Sequence, residues 1–173
     1  MNNIVVYESK YGSTERYAKW IGEELNCKVA KISDVPIYEL TKYDNIIFGG
    51  WVKAGSLNGF DKLSKNINKL KDKNLLVFGV GTSPTEDSDY VKFKEKNFKE
   101  FNNIKSFYLR GAFHFDSLTF PDKMMMSMFK MIVKARKLDK EGRCMTDMLN
   151  KGAKPVDFTK KEYIEPIVNE VIK

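Results

Sequence analysis

The sequence predicts an α/β fold: a doubly wound, five-stranded parallel sheet with helices on both faces. Three observations predict it. Apolar, β-branched runs recur along the chain and are continuous rather than alternating, as strands covered on both faces require. Amphipathic helical stretches separate these runs, giving repeated βα units. Glycine- and hydroxyl-rich segments follow the first, third and fourth runs, at the strand ends where such sheets bind ligands.

The first strand is read at 3–8, through Ile4, Val5 and Val6, and it enters the turn Ser9-Lys10-Tyr11-Gly12-Ser13-Thr14. A helix at 13–25 opens at once, so backbone N–H groups and the positive end of the helix dipole face whatever lies above the strand end. Further strands are read at 27–32, 44–50, 74–80 and 104–113, and further helices at 57–70, 88–101, 121–137 and 159–172. The last helix opens on Thr159-Lys160-Lys161-Glu162, a capping-box pattern. Pro166 falls either inside that helix or in the first turn of a shorter one. The whole reads as one domain, with a Met-rich, basic helical segment inserted at about 115–155.

Composition narrows the class. At 173 residues the chain suits a single domain, and its two cysteines, Cys27 and Cys144, have no metal or redox spacing. They read as reduced thiols of a cytoplasmic protein, and the N-terminus enters strand pattern without a basic leader. The formal charge of +7 attracts anions. The lysines are spread over many helices without a reading motif, so nucleic acid is not the expected partner. His114 has no Cys or His neighbours and reads as an ordinary strand-end histidine, not a metal ligand.

Three loops meet on one side of a parallel sheet. The first offers Ser9, Ser13 and Thr14 as hydroxyl donors around Gly12, suited to a phosphate. The second, Gly50-Trp51-Val52-Lys53-Ala54-Gly55, sets an aromatic ring between glycines. The third, Gly81-Thr82-Ser83-Pro84-Thr85, is small and hydroxylated. A planar ring system with a phosphate tail would use all three. The first loop lacks the GxxxxGK[ST] pattern, and no GxGxxG follows a strand, so a mononucleotide is favoured over ATP or NAD.

On these residues the chain resembles the flavodoxin-fold, FMN-binding proteins, whose first loop reads Thr/Ser-x-Thr-Gly-x-Thr. Ser9, Gly12 and Thr14 match it, and Tyr11 departs where many flavodoxins carry a hydroxyl. It is more closely similar to the flavodoxin-like menaquinone-dependent protoporphyrinogen dehydrogenases. Their Thr-Arg-x-Gly-x-Thr is matched by Ser9, Lys10, Gly12 and Thr14, and their Gly-x-x-x-Arg-x-Gly by Gly49, Lys53 and Gly55. Both also carry a Gly-Ala pair ending a strand, here Gly111-Ala112, followed by a Met-rich basic helix. The resemblance implies strand order 2-1-3-4-5 and FMN as cofactor, held by Ser9 to Thr14, Gly50 to Gly55, and Gly81 to Ser83. It also implies quinone-linked dehydrogenation of a protoporphyrinogen-like or other organic substrate. The alternative is a non-enzymatic electron carrier between redox proteins, and a third reading is a flavin-binding docking module. No residue reads as a general base. Lys53, with no carboxylate in its loop, points to a raised two-electron potential.

The 121–137 helix is unusual. Lys123, Ser127, Lys130, Lys134 and Lys137 form one narrow stripe, and the apolar remainder spans about 220° of arc. A single core face is narrower, so either the chain's own insert, a second protomer or a membrane interface covers the rest.

Overall fold

The computed structural model describes residues 1–83, 87–101, 104–135 and 148–173, with side chains at all of these except 87–89 and 133–135. Pro84, Thr85, Cys144 and the end of the 121–137 helix reading lie outside the described residues or their side chains. The chain forms two compact units: Met1–Gly111 with Thr159–Lys173, and Ala112–Phe158.

In the first unit β1 (Asn3–Tyr7), β2 (Lys28–Lys31), β3 (Asn45–Lys53), β5 (Asn74–Gly81) and β6 (Lys105–Arg110) form a parallel sheet in the order β2-β1-β3-β5-β6. The short β4 (Ser56–Leu57) pairs antiparallel with β3 as an added hairpin. Setting that hairpin aside, this is the expected order 2-1-3-4-5. Successive side chains alternate across the sheet, so each strand feeds two cores. Ile4, Val6, Ile46, Phe48, Leu75 and Val77 pack on one face with α2 (Ile37–Leu40), α3 (Asp61–Ser64) and α4 (Asp87–Phe98). Val5, Ile47, Leu76 and Phe78 pack on the other with α1 (Ser13–Glu24) and α6 (Glu165–Ile172).

A polar rung pins the strands at the edge away from the loops. Asn3, Asn45 and Asn74 lie in register, the Asn45 amide donating to Asn3 Oδ1 at 2.7 Å and Asn74 donating to Asn45 Oδ1 at 2.8 Å. A one-residue slip would break both bonds and exchange the side chains that each strand sends to the two cores.

Four boundaries differ from the sequence reading. The strand read at 44–50 continues to Lys53 and turns back through Ala54 and Gly55, both at positive φ, as a two-residue hairpin turn demands. The helix read at 57–70 is only α3 and a 3₁₀ turn, Ile67–Lys69. Asn66 donates its side-chain amide to Lys62 O at 3.0 Å and leaves helical φ,ψ, which ends α3. The strand read at 104–113 breaks at Gly111, and Ala112–Phe113 (β7) pairs instead with Val156–Asp157 (β8) in the second unit. The last helix starts late: a 3₁₀ turn at Lys161–Ile164 precedes α6, whose first turn holds Pro166. Thr159 does not serve as its cap; its Oγ1 accepts a hydrogen bond from the Arg16 guanidinium at 2.8 Å.

Cys27 lies just ahead of β2, half-buried, and burial pushes its thiol above its ordinary value of 9.0. The folded chain therefore keeps this proton at pH values where the unfolded chain has released it. Stability should fall as pH rises above about 9. Urea titrations at stepped pH check this, and Cys27→Ala should flatten the slope.

In the second unit, Phe113, Phe115 and Leu149 form a small core joined by Leu118, Met126, Met148 and Val156. Its long helix is α5 (Phe120–Ala135). Among the described residues no helix is long and apolar enough to cross a membrane.

Candidate functional site

The site is built where the sheet order reverses, between β1 and β3. β1 ends at Tyr7, paired with Gly49, and the Glu8 N–H donates to Gly49 O at 2.8 Å. The chain then turns through Ser9 to Gly12. Gly12 N–H donates to Ser9 Oγ at 3.1 Å, which closes the turn and leaves the hydroxyl's own hydrogen to point elsewhere. Gly12 has φ +92°, ψ −20°, a left-handed conformation that side chains resist, and it is the N-cap of α1. No side chain therefore caps the helix from this position, and a Cβ added at Gly12 would meet nothing within 4 Å. The space around that Cβ position, at the amide-rich end of a 12-residue helix, is open. Thr14 is buried at 1 % exposure beneath the turn. The one carboxylate in the first turn of α1, Glu15, sits 2.7 Å from Lys19, whose hydrogen bond and charge hold it below the usual carboxylate range. Tyr7, buried next to Glu15, has its phenol pushed above its ordinary value, first by desolvation and then by that carboxylate.

Trp51 brings an aromatic ring close to this turn. Sequence reading placed Trp51 in a loop; it is instead a strand residue, half-buried and paired with Val80 of β5. Alternation puts it on the α1 face with Ile47 and Gly49. Lys10 Nζ lies 5.1 Å from the Trp51 ring centroid and 5.4 Å from that of Tyr11. The first and second loops thus meet through one cation and two aromatic rings.

The remaining sequence-predicted residues divide. Gly50 and Val52 lie on the opposite face from Trp51: a Cβ on Gly50 would sit 2.4 Å from Asn58 O, and Val52 packs against the α4 core. Ala54 and Gly55 form the hairpin turn and are held by α4, Lys96 Nζ donating to Ala54 O at 2.7 Å and Asn97 to Gly55 O at 2.8 Å. Lys53 ends β3, four residues past the last pairing with β1, a reach of roughly 13 Å along the strand. Gly81 ends β5 beside Arg110, and a Cβ there would strike the Tyr108 hydroxyl at 2.1 Å. Thr82 and Ser83 follow, half-exposed.

Arg110 escaped the sequence reading. It ends β6, directs Nε to Thr82 O at 3.4 Å, and its backbone oxygen accepts from the buried Tyr17 hydroxyl at 2.8 Å. Its only local signal was its place just before Gly111-Ala112. Its position beside the third loop depends on the Gly81–Arg110 register, which no local pattern reveals.

The family model described as "Flavodoxin domain" matches residues 4–141. Among solved structures the chain is similar to oxidised Flavodoxin 2 from Bacillus cereus, at 21% identity over 64% of this chain and 84% of that one, with a TM-score of 0.45. It is also similar to a WrbA-like flavodoxin protein from Agrobacterium tumefaciens, at 26% identity over 53% of this chain and 65% of that one, TM-score 0.44. A flavodoxin from the domain Archaea is 17% identical over 86% of this chain and 96% of that one, TM-score 0.43. No curated protein matches the chain with significance.

Proposed function

This chain belongs to the flavodoxin domain family and takes FMN as its cofactor, and on that premise we propose that it is an oxidoreductase carrying electrons from an organic substrate of protoporphyrinogen type to a quinone. The observation that favours this reading over simple electron carriage is the cation at the ring site, Lys10 set 5.1 Å from Trp51. When bound, FMN supplies the redox chemistry, taking two electrons from a donor and returning them to an acceptor.

The residues present fit the group. We assign its phosphate to the turn Ser9 to Thr14, where Gly12 leaves open space at the helix N-terminus and Ser9 has a hydrogen to donate. Trp51 and Tyr11 supply flat apolar surface for a ring, and Gly81, Thr82 and Ser83 supply small polar residues on the β5 side. Lys10 adds positive charge beside the Trp51 ring, which favours the reduced, anionic cofactor. No side chain is assigned as a general base, so rate would come from orientation and electrostatics.

Anaerobic mixing of the FMN-loaded protein with protoporphyrinogen and a soluble quinone analogue tests the proposal. Quinone-dependent oxidation of the porphyrinogen is the expected result. Fast electron exchange with a redox partner protein, with no substrate oxidised, would assign the chain to the carriers instead. Lys10→Gln should lower the two-electron potential of the bound flavin by a few tens of millivolts, an effect that solvent screening keeps modest. Potentiometric titration reads it.

A further inference from the structure

Helix α5 turns its apolar residues outward. Phe120 is 79% exposed, Met124 59%, Met128 57% and Met131 67%, and their spacing of four, four and three residues sets them in one row. Exposed Ile132 widens the row and Phe129, 41% exposed, lies beyond it, while the remaining side carries buried Asp122 and half-buried Met126. Lysines, not carboxylates, border this face. Lys123 and Lys130 lie half-buried along one flank, Lys130 donating a hydrogen bond to the Asn150 side-chain oxygen, and the helix's one acidic residue, Asp122, is 4% exposed and accepts a hydrogen bond from Thr119 Oγ1 at 3.2 Å.

We propose that this face seats the second unit on an anionic lipid bilayer, the Phe and Met side chains entering the interface while Lys123 meets lipid phosphate. Charge decides among occupants. A second copy would bring lysine-bordered faces together on chains of formal charge +7, whereas an anionic surface neutralises them. The chemistry of the row agrees. Flexible methionines adapt to fluid acyl chains. At 16 residues the helix is about 24 Å long and lies in the interface plane rather than crossing it. None of this depends on the FMN reading.

Co-sedimentation of the FMN-loaded full chain with large vesicles tests it, using phosphatidylcholine alone and phosphatidylcholine mixed equally with phosphatidylglycerol. Binding to the anionic vesicles at low salt, weakened by added salt, is expected. Met124→Ser/Met131→Ser should cut vesicle affinity at least tenfold without lowering the melting temperature, since both residues are exposed. Lys123→Gln should cut it about fivefold. The proposal is overturned by no binding to anionic vesicles at low salt, by affinity unchanged in both variants, or by a dimer in sedimentation velocity that the methionine variant dissociates. The last would assign the face to a second copy. Selective capture of an acidic protein without vesicle binding would likewise reject a bilayer.

Discussion

Phe78→Ala is expected to destabilise the fold by about 3–5 kcal/mol and to lower the melting temperature by roughly 10 °C. Phe78 is fully buried in the core beneath α1, and its ring fills the space where Gly49 has no side chain: a Cβ on Gly49 would lie 2.2 Å from Phe78 Cζ. The pair sits in register across β3 and β5, two residues before Trp51. Removing the ring opens a cavity directly under the site. Calorimetry or urea unfolding reads the effect, and Gly49→Ala should destabilise through overpacking by a smaller amount, about 1–3 kcal/mol. A loss under 1 kcal/mol for Phe78→Ala would mean the strands slide together to fill the gap.

Gly12→Val is expected to weaken FMN binding ten- to a hundredfold while the fold persists. The position holds φ +92°, where a side chain costs about 1–2 kcal/mol and a β-branched one more. Nothing within 4 Å would collide with the added Cβ, so the penalty falls on the loop conformation and on the open space beside the helix amides rather than on the core. Gly12→Asn separates the two causes, because Asn tolerates left-handed backbone: it should keep most of the stability lost in the valine variant. Isothermal titration with FMN, paired with thermal melts of both apoproteins, checks it. Equal affinity in wild type and Gly12→Val would remove the phosphate from this turn.

Much of this architecture was legible because burial on both sheet faces leaves continuous apolar strands. Val5, Ile47 and Leu76 mark β1, β3 and β5 without help from tertiary structure. The turn at Ser9 to Thr14 was legible for a related reason: a strand, a glycine and an immediate helix leave few geometries. Failures occurred where tertiary contacts decide. The hairpin beyond Lys53 carries Ala54-Gly55 in place of an Asn-Gly or Asp-Gly signal, and the glycines around Trp51 read as loop although Gly50 is needed for packing against Asn58 and Leu57. The lysine and leucine spacing at 57–70 imitates an amphipathic helix, but Asn66 ends the regular turns after Ser64. In α5 the excess apolar arc was visible in the sequence. Which part of it faces outward was not, because that depends on the small core of Phe113, Phe115 and Leu149 that fixes the helix's buried side.

A side-by-side equilibrium titration of the apoprotein with FMN and with riboflavin, which lacks the phosphate, shows directly whether the Ser9 to Thr14 turn holds a phosphate. Charge-assisted hydrogen bonds contribute about 1.5–3 kcal/mol each, so two of them at the Ser9 to Thr14 turn should make FMN bind at least a hundredfold tighter. Gly12→Val should erase most of that difference. Equal affinities for the two flavins, or no flavin binding at all, would mean that the turn holds no phosphate.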